Sequence, residues 1–383
     1  MFVSDTHLPQ LLPASAYHDD DWYQRERKLV FHPAWWAVAL VQEMPREGHF
    51  ITFDHVGGPV MVRRGGDGFH AYRNVCPHRM AKLTQRACGI CPQLRCEYHG
   101  WEFDDSGMTR RIPDAPSFRP LEKGKLGLDQ LRLDQAGAVL FITFDNAAPP
   151  VREWLGEEEH GRLEASIDCI SRPIWREDVD LPVNWKAVVE NSLESYHVGT
   201  IHAATIGASP TESDCRHELW EGGSRFTVRS PDSAWTRLKQ RVGRGMGKDV
   251  SADYCHSHIH PGLLRMSIDF GGGFQSVTPT GPRSCRISYR SVVGQSGTRT
   301  LPDLIARRLA VSELPTWKKI VSEDMALLPQ VQQGLESPVH PGPGLISRRE
   351  ERITHFQKWL LAQMNASQSA AAVPVCRPTE GAA

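Results

Sequence analysis

Two groups of metal-ligating residues stand out in the 383-residue sequence. The first is Cys76-Pro77-His78-Arg79 followed by Cys96-Glu97-Tyr98-His99-Gly100-Trp101, a C-x-H, seventeen residues, then C-x-x-H. Each half puts a thiolate and an imidazole on one tight loop, with Pro77 and Gly100 shaping the turns. Two such loops can hold a [2Fe–2S] cluster, cysteines on one iron and histidines on the other; neutral imidazoles lower the charge around the cluster and raise its potential. The rival reading is a structural zinc site of Cys2His2 type, or one of four cysteines, since Cys88 and Cys91 lie between the two loops. The fixed short offsets and the surrounding β texture favour the cluster, and Cys88 and Cys91 receive no ligand role.

The second group is Glu194-x-x-His197-x-x-x-x-His202 within LPVNWKAVVENSLESYHVGTIH (181–202). Glu194 and His197 are expected on one helical face, and the out-of-register step to His202 points to a break at Gly199. By spacing alone the pair reads more readily as helix-surface or core histidines; with a distant carboxylate, two such histidines would form the facial triad of a non-haem Fe(II) site, which leaves positions open for dioxygen and substrate.

Elements to position these groups can be read along the chain. Residues 1–45 are partly helical, with Asp19, Asp20 and Asp21 at a helix start. Short Val/Phe/Tyr-rich runs broken by Gly and Pro make 46–150 an all-β unit. Residues 151–365 mix helices with strands such as SRFTVRS and SCRISYRSVV and end in helices near 302–336 and 347–363. The small, polar residues 366–383 are expected to be a disordered tail. The expected class is α+β, an all-β domain placed before a domain whose antiparallel sheet packs against helices in a helix-grip-like manner.

CPHR…CEYHGW closely resembles the Rieske domain of the Rieske non-haem iron oxygenases, and NWK…EN…E-x-YH resembles the iron-binding helix of their large alpha subunits. The resemblance covers roughly residues 15–363. It implies Cys76, His78, Cys96 and His99 on the [2Fe–2S] cluster, and His197, His202 and Asp324 on mononuclear Fe(II). Glu323 is the alternative to Asp324, because neighbouring carboxylates on a helix point about 100° apart. Asn191 is expected near the iron without binding it. Glu194 stands where most of the family has Asp and would bridge His197 to His99 of a neighbouring subunit, in a homotrimer. The activity implied is reductive use of O2 to hydroxylate, dihydroxylate or dealkylate a small molecule. Electrons from NAD(P)H would arrive only through a separate flavin/iron–sulfur reductase or a ferredoxin, since the chain shows no nucleotide or flavin motif of its own.

Glutamate at position 194 further resembles the branch that oxidises quaternary ammonium compounds such as carnitine, betaines and choline. These would want an aromatic cage, with Trp235, Tyr254, Phe270, Phe274 and Tyr289 as candidates by location. Aromatic-ring hydroxylation is the alternative, and a zinc-stabilised binding protein is the alternative of another class. The row of His256, His258 and His260 is read as buried structure, one of them lining the pocket.

Composition excludes other classes. With 44 basic and 45 acidic residues the net charge is -1, which offers no basic field for nucleic acid. No apolar run of about eighteen residues suggests a membrane span. An odd count of nine cysteines, with no secretory layout at the N-terminus, argues against a disulfide framework and for the cytoplasm.

Overall fold

The computed structural model describes residues 1–370 except 122–124, 248–250, 252, 298–299, 341 and 343. The chain begins with an arm whose helix α1 (Asp20–Glu26) is capped by Asp19, which accepts from the Trp22 N–H. A seven-stranded antiparallel sheet follows, built from β1 (Trp36–Leu40), β2 (His49–His55), β3 (Gly58–Arg64), β4 (Phe69–Arg73), β5 (Cys88–Ile90), β6 (Gln130–Ala136) and β7 (Val139–Thr143). Its order is β1-β7-β6-β4-β3-β2-β5. A small three-stranded sheet, Leu94–Arg95, Glu102–Phe103 and Thr109–Arg111, carries the second cysteine loop.

The sheet begins ten residues before the β unit expected from the sequence. The alanine-rich WAVAL of β1 carries little strand signal on its own; pairing with β7 makes it a strand, a case where tertiary context outweighs local propensity.

The second sheet is also seven-stranded and antiparallel: β8 (Arg172–Leu181), β9 (Cys215–Trp220), β10 (Gly223–Val228), β11 (Tyr254–Ile259), β12 (Leu263–Ile268), β13 (Gly271–Gly281) and β14 (Ser284–Val293), in the order β8-β14-β13-β12-β11-β10-β9. Helices α2 (Trp185–Ser192), α3 (Ala234–Gly245), α4 (Leu301–Leu335) and α5 (Glu351–Ala370) accompany it. Helix α5 runs to Ala370, past the start of the expected tail, and 371–383 lie outside the described residues.

The main core joins arm, sheets and helices: Phe31, Trp36, Ile142, Trp185, Val277, Leu328 and Phe356 belong to one buried cluster. Helix α2 is held from its far side. Glu26 of α1 accepts from Lys186 Nζ (2.7 Å) and Trp185 Nε1 (3.0 Å), all three groups buried. A buried ion pair of this kind is costly to break from one side, so the arm sets the position of α2. Burial pushes the Glu190 carboxyl up to about 7, against hydrogen bonds from Gln357 and Tyr17.

Candidate metal centres and active site

The two cysteine loops are built alike. Cys76 N–H donates to Ala81 O and Cys96 N–H to Trp101 O, both at 2.8 Å. Met80 N–H and Gly100 N–H return to Cys76 O and Cys96 O, both at 3.0 Å. Met80 and Gly100 both have positive φ, 59° and 70°, so each loop makes its tight return at the same place. Glycine meets that demand at no steric cost in the second loop, and methionine bears it in the first. Cys76 and Cys96 are buried and unpaired. The imidazoles of His78 and His99 meet edge to face, centroids 4.7 Å apart, and His78 stacks on Trp101.

Burial pushes the Cys76 thiol up to about 11, opposed by a backbone hydrogen bond at His78 and reinforced by the Cys96 thiol. Two adjacent buried thiols become thiolates only with a cation beside them. Among the described residues, donor groups of three or more lying within 4.8 Å of one another occur at His197, His202, Asp324 and at Asp67, His70, Asp105. Cys88 lies exposed on β5, and Cys91 donates to Gln93 O.

The second centre departs locally from expectation. Helix α2 stops at Ser192, and Glu194 and Ser195 are irregular before a one-turn helix, Val198–Ile201. The break therefore precedes His197, and Gly199 sits inside the turn rather than marking it. Glu194 makes the break possible: its carboxylate accepts from the Tyr196 and His197 N–H groups and also contacts His197 Nδ1. The Glu194–His197 contact is thus made by a capping turn instead of a shared helical face.

Three donor atoms converge: His197 Nε2 and His202 Nε2 are 3.2 Å apart, and Asp324 Oδ1 lies 3.5 Å and 3.2 Å from them. A carboxylate only accepts, so Glu194 holds the proton of His197 on Nδ1. Glu323 Oε2 does the same for His202 Nδ1 at 2.8 Å and accepts from Thr205 Oγ1 at 2.7 Å. Both Nε2 lone pairs then face Asp324 Oδ1, which is buried and without a hydrogen-bond donor. Three lone pairs pointing at one spot repel unless a cation takes it, so this donor set fits a metal ion bound on one face.

Burial works against a charge on His197, yet the hydrogen bond and charge of Glu194, then Asp324, raise its pKa. Burial likewise raises that of Asp324, against a hydrogen bond from Asn191 and the charges of both histidines. Asn191 therefore meets Asp324, and Glu323 serves the back of His202 instead of standing in for Asp324. Sequence reasoning missed that role; the signal is the consecutive Glu323-Asp324 pair on α4, whose carboxylates reach opposite sides of one imidazole.

The three donors open onto a cavity of about 470 Å³ lined by apolar and aromatic residues. Of the expected cage residues, Tyr254 and Phe270 line it. Phe274 is packed into a core cluster with Trp35 and Phe141, Tyr289 stacks on Trp175, and Trp235 is half exposed with Nε1 donating to Glu313. Unforeseen aromatic walls come from Trp175, Phe226 and Trp317, with Trp317 near-parallel to Tyr254 at 6.2 Å. His256 lines the cavity; His258 bonds Pro261 O, and His260 stacks on Trp359.

Residues 34–126 match the Rieske [2Fe-2S] domain, and residues 171–366, half of the chain, match the ring hydroxylating alpha subunit (catalytic domain). The chain belongs to the Rieske ring-hydroxylating oxygenase alpha subunits. Its cofactors are a Rieske [2Fe–2S] cluster and mononuclear iron, and its homologues are Rieske non-haem iron mono- and dioxygenases. Such alpha subunits oligomerise and work with a separate reductase. The chain is 24% identical to the chloroplastic choline monooxygenase of Spinacia oleracea, over 93% of this chain and 78% of that one. It is 26% identical to the carnitine monooxygenase oxygenase subunit of Acinetobacter pittii, over 94% and 96%. In fold it resembles a quaternary ammonium Rieske monooxygenase crystallised with an inhibitor (TM-score 0.77, 20% identity, 92% and 95% covered). It also resembles naphthalene 1,2-dioxygenase with bound indole (TM-score 0.72, 19% identity, 96% and 95% covered). No helix among the described residues is long and apolar enough to cross a membrane.

Proposed function

We propose that this oxygenase hydroxylates or oxidatively dealkylates a quaternary ammonium compound. Cys76 and Cys96 hold one iron of the cluster and His78 and His99 the other, while His197, His202 and Asp324 hold the mononuclear iron. The observation that carries the ligand assignment is the convergence of three lone pairs with both imidazole Nδ1 protons already taken by Glu194 and Glu323. When bound, the cluster passes single electrons and the mononuclear iron activates dioxygen at its open face.

The chain supplies orientation and protons. Glu194 and Glu323 hold the imidazoles in one tautomer, and Asn191 steadies Asp324. Tyr98 and His99 are exposed at the cluster loop, and Tyr196, 62% exposed, lies beside Glu194. In the homotrimer we propose, one copy's cluster loop docks against another's Glu194 and brings His99 to the carboxylate that holds His197; the exposure of Tyr98, His99 and Tyr196 supports that reading. Electrons come from NAD(P)H by way of a partner flavin/iron–sulfur reductase or ferredoxin, in the cytoplasm. The substrate reading rests on the choline and carnitine relatives and on the aromatic walls Tyr254, Trp317, Phe226 and Phe270, whose faces attract a cation.

Betaines, choline homologues and arenes, assayed for product-coupled O2 uptake with a surrogate reductase, test this. Turnover of ammonium compounds is the expected result; turnover of arenes alone assigns the chain to ring hydroxylation.

A further inference from the structure

The cavity extends well beyond the three metal donors. Ala310, Leu314, Trp317, Val321 and Asp324 all line it. Their alternating steps of four and three residues put them on one face of α4. At a rise of about 1.5 Å per residue, Ala310 stands about 20 Å from Asp324 along the helix axis. Phe226 of β10 and Met266 of β12 belong to the wall as well. At about 470 Å³ the cavity falls within the roughly 300–1,000 Å³ of pockets that bury drug-sized ligands, which are larger than choline or glycine betaine.

The polar groups are concentrated toward the two ends. Beside Asp324 stand Glu194, His197 and His202. Near Ala310, Lys239 Nζ bridges Asp269 Oδ2 and Glu313 Oε1, both at 2.7 Å, and these two carboxylates line the cavity. Most of the wall between is hydrocarbon or aromatic. A small betaine would leave much of that wall against water, whereas a chain laid along α4 would cover it, and apolar burial is the larger gain.

We infer that the substrate is an elongated amphiphile, an ammonium compound carrying an extended apolar chain that lies along the inner face of α4, with Ala310 and Leu314 setting its length. The inference rests on the ammonium reading above and narrows it.

A series of alkyltrimethylammonium compounds of increasing chain length, with choline and carnitine as short references, tests it on the reconstituted enzyme. The expected result is a kcat/KM that rises about threefold to fourfold per added methylene and turns over once the chain fills the cavity. Ala310→Trp and Leu314→Phe should each move the optimum to shorter chains, with cluster absorbance and iron content confirming that the variants fold. A kcat/KM that is highest for choline or carnitine and flat or falling with length overturns the inference while leaving the ammonium reading intact. An optimum unmoved in both folded variants also overturns it. Turnover of arenes with no ammonium compound accepted at any length removes the ammonium reading itself.

Discussion

The cysteine loops and the His197–His202–Asp324 site hold their proposed ligands in opposite ways. Cys76, His78, Cys96 and His99 sit within a short stretch, on two loops with matching backbone hydrogen bonds and the same positive-φ position. Each loop is largely its own scaffold. His197 and His202 stand on either side of a one-turn helix, while Asp324 arrives from α4, more than a hundred residues later. That site depends on α2 being pinned by Glu26, on a capping turn made by Glu194, and on a helix that clamps His202 from both sides. A local site tolerates changes elsewhere in the fold; a site assembled from distant elements inherits every shift in their packing.

The contrast can be broken most completely at the ligands. Cys76→Ser should abolish the cluster's visible absorbance and all turnover while the mononuclear site still binds iron, measured by metal analysis. Asp324→Ala should do the reverse, leaving a coloured protein with its cluster and no mononuclear iron. Loss of both metals in either variant would show that the centres are not independently built. Glu194→Gln should keep both metals and slow single-turnover reoxidation of the reduced cluster; an unchanged rate would confine Glu194 to its capping role. Glu323→Ala removes the partner of His202 Nδ1 and should weaken mononuclear iron binding about 10- to 100-fold, with Glu323→Gln restoring much of it because an amide oxygen still accepts. Equal affinity in all three proteins would show that α4 acts through Asp324 alone.

The smallest effect concerns the support behind α2. Burial raises the Glu190 carboxyl to about 7 in the folded chain, above its ordinary 4.5. The folded state therefore favours its protonated form. Its contribution to stability is whole below about pH 4.5 and is lost as pH climbs through 7. Glu190→Gln should raise the melting temperature relative to wild type between pH 6 and pH 8, with the gap widening toward pH 8. A constant gap would mean that Glu190 does not titrate in that window.

The same contrast governs what was legible beforehand. C-x-H and C-x-x-H carry their geometry in their spacing, so the two matching tight loops were legible before the fold. The His197/His202 pair was legible as chemistry but not as geometry, because the backbone break at 193–197 arises where Glu194 takes the N–H groups of Tyr196 and His197. The role of Glu323 was hidden for a related reason: which of two adjacent carboxylates faces the metal depends on how α4 is rotated against the sheet. The aromatic walls were only partly foreseen, since Tyr289 and Phe274 share strands with residues near the site yet point into the core.

What the sequence determined alone was the donor inventory, the two-centre organisation and the order of the β and mixed regions, because short-range spacing and side-chain chemistry travel with the chain. Tertiary structure decided which carboxylate meets which imidazole, that β1 belongs to the first sheet, and that one face of α4 runs the length of the cavity. Those outcomes rest on helix rotation, strand pairing and packing between residues far apart in sequence, where local propensity is weak and burial chooses.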